Sequence, residues 1–338
     1  MIDLSLMAKL IQAVPASARL VLVGDKDQLA SVEAGAVLGD ICGGLTARES
    51  VELESGPGEE PASGSRYRGT GFSNHIVVLK KNYRFDADSG IDALAAAVNA
   101  GDADRSLALL ESELKGSIAM RHYHSRKEMG VALERLVIEK IAPAFKVGDP
   151  LKALQQINTL KILTPLRKGP VGVLALNQWV EQILVRHDVI EPLQASMPAW
   201  YSGRPVMITS NDYYHNLFNG DVGIAMAAPA ARSPMLQVFF PDQKQGIKSL
   251  VPEQLPGHET VYAMTVHKGQ GTEFDCVVLI LPDVDVPILT RELLYTAITR
   301  ARRQVEIWGH AGVLKKAIGR RIRRASGLRE SLWPNSKL

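Results

Sequence analysis

Two short runs near the end of the chain combine residue types that hold phosphate. Residues 265–274 read Thr-Val-His-Lys-Gly-Gln-Gly-Thr-Glu-Phe and follow a strand-like apolar run. Residues 295–302 read Tyr-Thr-Ala-Ile-Thr-Arg-Ala-Arg and predict a helix that begins after Thr290 and carries Arg300 toward its end. Hydroxyls, the free amides of a glycine-rich turn and a guanidinium are groups that bind phosphate oxygens. The two runs therefore predict contacts to a phosphate-bearing ligand.

A third run, at residues 24–29, places polar groups directly after an apolar stretch. Residues 20–23 (Leu-Val-Leu-Val) predict a buried parallel strand, and Gly24 and Asp25 predict a turn at its carboxyl end. Ligands of α/β sheets bind at that edge. The amide of Gln28 can donate to a phosphate oxygen and accept from an attacking water, which suits phosphoryl transfer. Taken alone, this run also fits a plain polar turn.

These runs resemble motifs of superfamily 1 helicases, the ATP-driven motors that move on single-stranded nucleic acid. Residues 24–29 resemble motif III, and residues 30–41 narrow the resemblance to the RecD branch, whose members move 5′ to 3′. The resemblance implies that Gln28 senses the γ-phosphate of ATP. It assigns the rest of the nucleotide pocket to Gly24, Asp25, Glu273, Tyr295 and the arginine finger Arg300.

A second arginine finger is implied by residues 79–85, Leu-Lys-Lys-Asn-Tyr-Arg-Phe, which resemble helicase motif IV. In that motif Arg84 would reach the γ-phosphate from the second motor domain. A guanidinium stabilises charge on the transferring phosphoryl group, and such fingers contribute about 10³–10⁵ in rate. A surface arginine after a strand is the alternative for this residue when it is taken alone.

Three further segments are predicted to contact a DNA strand. Residues 164–172 combine a threonine hydroxyl, glycine amides and two cations, which suits a phosphate cradle, although an ordinary proline–glycine turn has the same composition. The resemblance adds residues 265–268 and a pair at 211–212, the latter in a segment similar to an SH3-like subdomain. The predicted DNA contacts are Thr164, Arg167, Lys168, Asn177, Asn211, Asp212, Thr265, His267 and Lys268.

The elements that must position these residues alternate between helix and strand. Apolar spacing predicts helices at residues 4–14, 34–41, 90–98 (with Ser89 as the N-cap), 128–141 and 173–185. Short apolar runs predict strands at residues 20–23, 76–79, 160–163, 206–208, 222–224, 237–240, 261–266, 276–281 and 305–308. The fold class is therefore α/β, and the resemblance makes it a RecA-like parallel-sheet motor domain of the P-loop NTPase type with a small SH3-like all-β insertion.

Four parts are predicted along the chain. Residues 1–75 are the end of a first RecA-like domain, with a flexible loop at 48–75 that is rich in glycine and serine. Residues 76–189 begin the second RecA-like domain, 190–256 form the β insertion, and 257–338 complete the second domain.

Composition limits the class of protein. Apolar residues make up 46% and charged residues 22%, which is typical of a soluble globular protein, and the net charge of +3 permits nucleic-acid binding without arguing for it. No apolar run has the length of a membrane span, and the N-terminus carries no secretion signal. Cys42 and Cys276 are far apart, which excludes a disulfide scaffold and a four-cysteine zinc site. We predict a cytoplasmic protein with no membrane partner, and we assign no metal site.

The sequence departs from the helicase pattern in what it lacks. No Gly-Lys-Ser/Thr and no Asp-Glu pair occurs in it, so it has neither a P-loop nor the acidic pair that holds magnesium. We expect the C-terminal part of a longer RecD-like protein, which would bind ATP and Mg²⁺ when whole and no cofactor tightly as this fragment. The resemblance implies RecB and RecC as partners in exodeoxyribonuclease V, besides single-stranded DNA. A stand-alone RecD-like helicase and a non-catalytic DNA-binding or assembly module remain alternatives.

Overall fold

The computed structural model describes residues 2–30, 35–43, 75–79, 89–112, 116–191, 200–227, 235–242, 246–322 and 327–333. The chain divides into two compact units, a first unit of Met1–Asp86 with Arg321–Leu338 and a second unit of Ala87–Arg320. The predicted loop at 48–75 lies outside the described residues except for its last residue.

The described helices are α1 (Leu4–Ala13), α2 (Val37–Cys42), α3 (Gly90–Ala100), α4 (Ala103–Glu111), α5 (Arg126–Leu136), α6 (Pro150–Asn158), α7 (Val173–Arg186), α8 (Arg291–Ile298), α9 (Ala311–Gly319) and α10 (Leu328–Leu332). The described strands are β1 (Ile118–Arg121), β2 (Leu160–Thr164), β3 (Pro205–Ile208), β4 (Val222–Ala227), β5 (Leu236–Asp242), β6 (Gly246–Leu250), β7 (His258–Thr260), β8 (Ala263–Thr265), β9 (Phe274–Ile280) and β10 (Ala301–Trp308). A π-helical turn (Val137–Ile141) and a 3₁₀ turn (Ala142–Lys146) continue α5, and a 3₁₀ turn (Pro252–Gln254) follows β6.

The regular elements described in the first unit are helices. The Asp3 side chain accepts from the Leu6 amide at 2.8 Å, which caps α1, and the helix ends just before Pro15. Helix α10 packs against α2. Trp333 Nε1 donates to the Asp40 carbonyl at 3.0 Å and so fixes this contact.

Two strands predicted for the first unit are wrong. Residues 20–23 and 76–79 are extended but pair with no strand among the described residues, and Val23 and Leu79 are 89% and 80% exposed. Parallel strands need partners on their edges and helices over both faces. The described part of the first unit contains no strand ladder, so apolar β-formers alone do not produce the predicted element.

A parallel sheet forms the centre of the second unit. Its strand order is β1-β10-β9-β2-β8, and every neighbouring pair is parallel. All five residues of β2 are buried, so both faces of the sheet are covered. Leu133 of α5 and Leu176 and Val180 of α7 share one core cluster with Ile162 and Val278 of the sheet. Helices α3 and α8 contact each other and β10.

A smaller antiparallel sheet lies within the second unit, in the order β6-β5-β4-β3-β7. Val206, Ile208, Val238 and Phe240 form its core with Leu217. Strand β7 belongs to this sheet and lies just beyond the boundary at residue 256 that the sequence predicts. Only residues 261–262 separate β7 from β8, so this short connection joins the two sheets. The predicted class, α/β with a small all-β insertion, is confirmed.

Candidate nucleic-acid and nucleotide sites

The loop at residues 165–172 is held closely over the start of α7. The Thr164 hydroxyl, at the end of β2, donates to the Val171 carbonyl at 2.7 Å. A Cβ on Gly172 would lie 2.6 Å from the Lys168 carbonyl, so only glycine allows the loop to close this tightly. Arg167 and Lys168 are both exposed on this loop. The two predicted phosphate cations therefore lie on the surface, at the carboxyl end of β2.

Two predicted DNA contacts are instead used inside the protein. Thr164 is 0% and Asn177 is 6% exposed. The Asn177 side chain donates to the Ala263 carbonyl and accepts from the Ala263 amide, both at 2.9 Å. A direct contact to DNA does not fit these placements. Thr164 shapes the cation-bearing loop, and Asn177 fastens the short edge strand β8 to α7.

The run that follows β8 crosses from one edge of the sheet to the other. Thr265 is paired with Thr164 at the carboxyl edge, whereas Phe274 is paired with Ala301 at the amino edge. The Thr265 hydroxyl accepts from the Lys268 amide at 3.2 Å, which turns the chain at once. Thr265, His267 and Lys268 are each partly buried. The predicted strand contacts Thr265 and Lys268 therefore lie at the same edge as the loop with Arg167.

One carboxylate joins the two groups of cations. Lys268 Nζ lies 2.6 Å from Glu259 Oε1, and Arg167 Nη2 lies 3.4 Å from Glu259 Oε2. Sequence patterns did not predict that Glu259 belongs to this site. Its ion-pair partners, Lys268 and Arg167, are 9 and 92 positions away along the chain.

Glu273 and Arg300, two of the residues predicted for the nucleotide, lie at the opposite, amino edge of the parallel sheet. Glu273 accepts from Arg302 Nε at 3.0 Å, and Arg300 is 3% exposed. The Arg300 guanidinium donates to the carbonyls of Thr296 and Thr272, both at 3.1 Å. Arg300 thus joins the end of α8 to the start of β9. The guanidinium of Arg300 is therefore held within the fold, and its role as an arginine finger stays a prediction.

Tyr295 projects from α8 and is partly buried. Helix α8 begins as predicted, since the Thr290 hydroxyl accepts from the Leu293 amide at 3.4 Å. The pocket role of Tyr295 stays a prediction.

The turn predicted as motif III lies in the first unit. Gln28 Nε2 donates to Asp25 Oδ2 at 2.9 Å, and the Asp27 amide donates to Asp25 Oδ1 at 3.0 Å. A Cβ on Gly24 would lie 2.8 Å from Leu38, so glycine allows α2 to approach. Arg84 lies outside the described residues.

Asn211 and Asp212 organise the loop after β3. Asn211 Oδ1 accepts from the Asn219 amide at 2.9 Å, and Asp212 accepts from the Tyr214 amide at 2.9 Å. The hydrogen bond from the His215 side chain lowers the pKa of Asp212. Both side chains hold the loop, and their proximity to DNA stays a prediction.

Comparisons with known proteins agree with these motifs. A family model described as the UvrD-like helicase C-terminal domain matches residues 260–307, which include the crossing run and Arg300. A model described as an AAA domain matches residues 1–55. The protein named RecBCD enzyme subunit RecD from Mycolicibacterium smegmatis is 36% identical over 337 residues, which cover 99% of this chain and 53% of that protein. The chain is similar to RecD subunits along almost its whole length. The resemblance predicted from the motifs is confirmed.

Other RecD relatives extend this result. The RecBCD enzyme subunit RecD of Haemophilus influenzae is 34% identical, with coverage of 97% of this chain and 52% of that protein. The protein named ATP-dependent RecD2 DNA helicase from Deinococcus radiodurans is 28% identical, with coverage of 94% and 36%. The chain therefore spans about half the length of the RecD subunits it matches.

The described residues contain neither a candidate metal cluster nor a candidate membrane span. Within those ranges no group of three or more His, Cys, Asp or Glu side chains could hold a metal ion. No helix in the described part of the chain is long and apolar enough to cross a membrane.

Proposed function

We propose that this chain is the C-terminal motor region of an ATP-dependent DNA helicase of the RecD type, which moves 5′ to 3′ on single-stranded DNA. One observation carries the proposal: Arg167 and Lys168 after β2, and Lys268 after β8, lie at one edge of the parallel sheet. Cations and backbone amides at loop ends bind the phosphates of a nucleic acid. Such contacts do not distinguish one base sequence from another. Homology to RecD along 99% of the chain supports the same function.

Hydrolysis of ATP belongs, in this proposal, to a longer protein. Gln28, Arg84, Glu273, Tyr295 and Arg300 would contact the nucleotide, and Mg²⁺ would neutralise charge on its phosphates. The sequence of this chain has no P-loop lysine and no acidic pair to hold that magnesium. The guanidiniums could act only on a nucleotide that other residues hold.

The relatives named as RecBCD subunits support RecB and RecC as partners in an exodeoxyribonuclease V, with a role in DNA repair and recombination in the cytoplasm. The RecD2 relative supports the alternative of a stand-alone helicase. Retention of the chain on an immobilised RecB–RecC complex favours the role as a RecBCD subunit. Failure to be retained favours the stand-alone helicase. The lack of a P-loop supports a third candidate, a non-catalytic DNA-binding fragment, which binds DNA without ever gaining ATPase activity.

Binding to single-stranded DNA tests the proposal directly. We expect this chain to bind a labelled 20-mer of thymidine and a mixed-sequence 20-mer about equally, as measured by fluorescence anisotropy. Lys268→Ala should weaken both alike and reduce the slope of log K against log salt by about 0.7, the value for one lost phosphate contact on a single strand.

Lys127→Ala, which removes an exposed lysine from α5, is the matched control and should leave the slope unchanged. No binding by the wild-type chain, or a Lys268→Ala variant that alters base preference and leaves the slope intact, contradicts the proposed strand contact.

A further inference from the structure

The carboxylate of Glu259 occupies the space between two cations that are proposed to bind the DNA backbone. Its two oxygens take different partners, Oε1 with Lys268 and Oε2 with Arg167. The Glu259 side chain is 19% exposed and that of Lys268 is 28% exposed, so the cluster faces solvent only in part. Arg167 is 63% exposed. The guanidinium therefore lies at the open side of the cluster and the ammonium lies deeper.

The fold fixes the strand that carries this carboxylate. Glu259 is the central residue of β7 and is paired with Met207 of β3. Its partners belong to the other sheet, one after β2 and one after β8. The two-residue connection between β7 and β8 fixes the backbone of Glu259 beside the cations. Rotation of its side chain is therefore the movement that can release them.

We infer that Glu259 is an internal counterion, whose place between Lys268 and Arg167 is taken by a backbone phosphate when a single strand binds. This inference rests on the proposed function. A carboxylate and a phosphate both present anionic oxygens that accept from ammonium and guanidinium groups. Ion pairs that reach solvent contribute little to stability, so exchanging one anion for the other costs little.

The counterion has two opposite effects that can be separated. Without nucleic acid, it offsets repulsion between the two cations and keeps them near the sheet edge. With nucleic acid, its negative charge opposes each phosphate that approaches. If it were instead a positioning residue that the bound state needs, its removal would weaken binding. The sign of the change in affinity therefore decides between the two roles.

The test uses Glu259→Gln, which keeps the size of the side chain and removes its charge. We expect the variant to bind a 20-mer of thymidine about 2- to 5-fold more tightly at low salt, the range expected when one exposed ion pair no longer competes. The slope of log K against log salt should change little, because wild type and variant use the same cations to neutralise the same phosphates. Circular dichroism melting establishes that the variant is folded.

Two further variants make the result specific. Glu253→Gln removes an equal charge from an exposed glutamate of the 3₁₀ turn and should change neither affinity nor slope. On a Lys268→Ala background, Glu259→Gln should have a smaller effect, because one of its two partners is gone.

The outcomes separate the two proposals. Wild-type binding with equal or weaker binding by Glu259→Gln overturns the counterion and leaves the proposed function standing. An equal gain from Glu253→Gln also overturns it, because net charge alone would then explain the effect. Absence of binding by both the wild-type chain and Glu259→Gln overturns both proposals.

Discussion

Polar side chains in this protein often serve the fold at positions where sequence motifs indicate ligand contacts. Asn177 shows this most directly, since its amide pairs with both backbone groups of Ala263 as a neighbouring strand would. Strand β8 has only three residues and one strand neighbour, so this side chain supplies hydrogen bonds on its other side. Buried backbone groups without partners are costly. The position of Lys268, which follows β8, depends on this support.

Lys161 is a buried amine and the second residue of β2. It is 1% exposed, and its Nζ donates to the Val261 carbonyl at 3.1 Å. Burial lowers the pKa of Lys161 to about 7. In the unfolded chain a lysine keeps its proton to about pH 10.4. Between the folded and the unfolded pKa of Lys161, the unfolded chain holds a proton that the folded chain has lost. The free energy of unfolding therefore rises with pH in this range, by about 1.4 kcal/mol per pH unit.

Replacing Lys161 by Met should remove this dependence. We expect the free energy of unfolding of the variant at pH 7 to exceed that of wild type by about 1–3 kcal/mol. The gain is the cost of removing the lysine proton on folding, reduced by the loss of the hydrogen bond to the Val261 carbonyl. The advantage should shrink as the pH rises toward 10. Urea unfolding at pH 7, 8 and 9 measures it. Lys152→Met, at an exposed position of α6, is the control and should show no such trend. A stability difference between Lys161→Met and wild type that is the same at all three pH values would contradict the lowered pKa of Lys161.

At the scale of elements, the loop between β2 and α7 depends on glycine at one position. Gly172→Ala would bring a methyl group to 2.6 Å from the Lys168 backbone, so the loop must open. We expect a loss of about 1–3 kcal/mol in stability and weaker binding to single-stranded DNA, because Arg167 and Lys168 move with the loop.

Thermal melting and anisotropy measure the two effects. Gly148→Ala is the matched control, since a Cβ there meets no atom within 4 Å. If both variants melted and bound alike, close packing of this loop would not hold the cations in place.

Elements of the second unit follow from sequence where periodicity and burial agree. The predicted runs 160–163 and 173–185 became β2 and α7, and the helix predicted at 90–98 runs from Gly90 to Ala100. The run at 20–23 has the same apolar character as β2 but has no strand partner among the described residues. Composition alone does not show whether a run will find a partner. Strand β1 ends in an exposed residue and helix α4 is short, and neither was predicted.

Motifs predicted which loops carry the candidate site, but not how each side chain is used. The cations Arg167 and Lys268 lie at one edge of the sheet because they follow parallel strands that end there. The motifs, together with the rule that ligands bind at the carboxyl ends of parallel strands, could predict this placement. The burial of Thr164 and Arg300 depends on contacts across the fold. Glu259 is a single acidic residue in a short strand, and no local pattern distinguishes it from a solvated one.

For the whole molecule, the chain alone should not hydrolyse ATP. It contains no Gly-Lys-Ser/Thr, so it lacks both the amide cradle and the lysine that P-loop enzymes use for phosphates. Release of phosphate should stay at background with and without single-stranded DNA. ATPase activity that is stimulated by DNA and co-elutes with the folded chain through two columns would contradict this prediction.

The run between β8 and β9 has a mechanical consequence. Its eight residues, 266–273, connect opposite edges of the sheet and are turned, with amides of Gly269 and Thr272 bonded three to four residues back. These backbone hydrogen bonds fix where each turned residue of the segment lies. Deleting or inserting one residue would therefore shift the turns and displace Lys268 or Glu273 even if every side chain were kept.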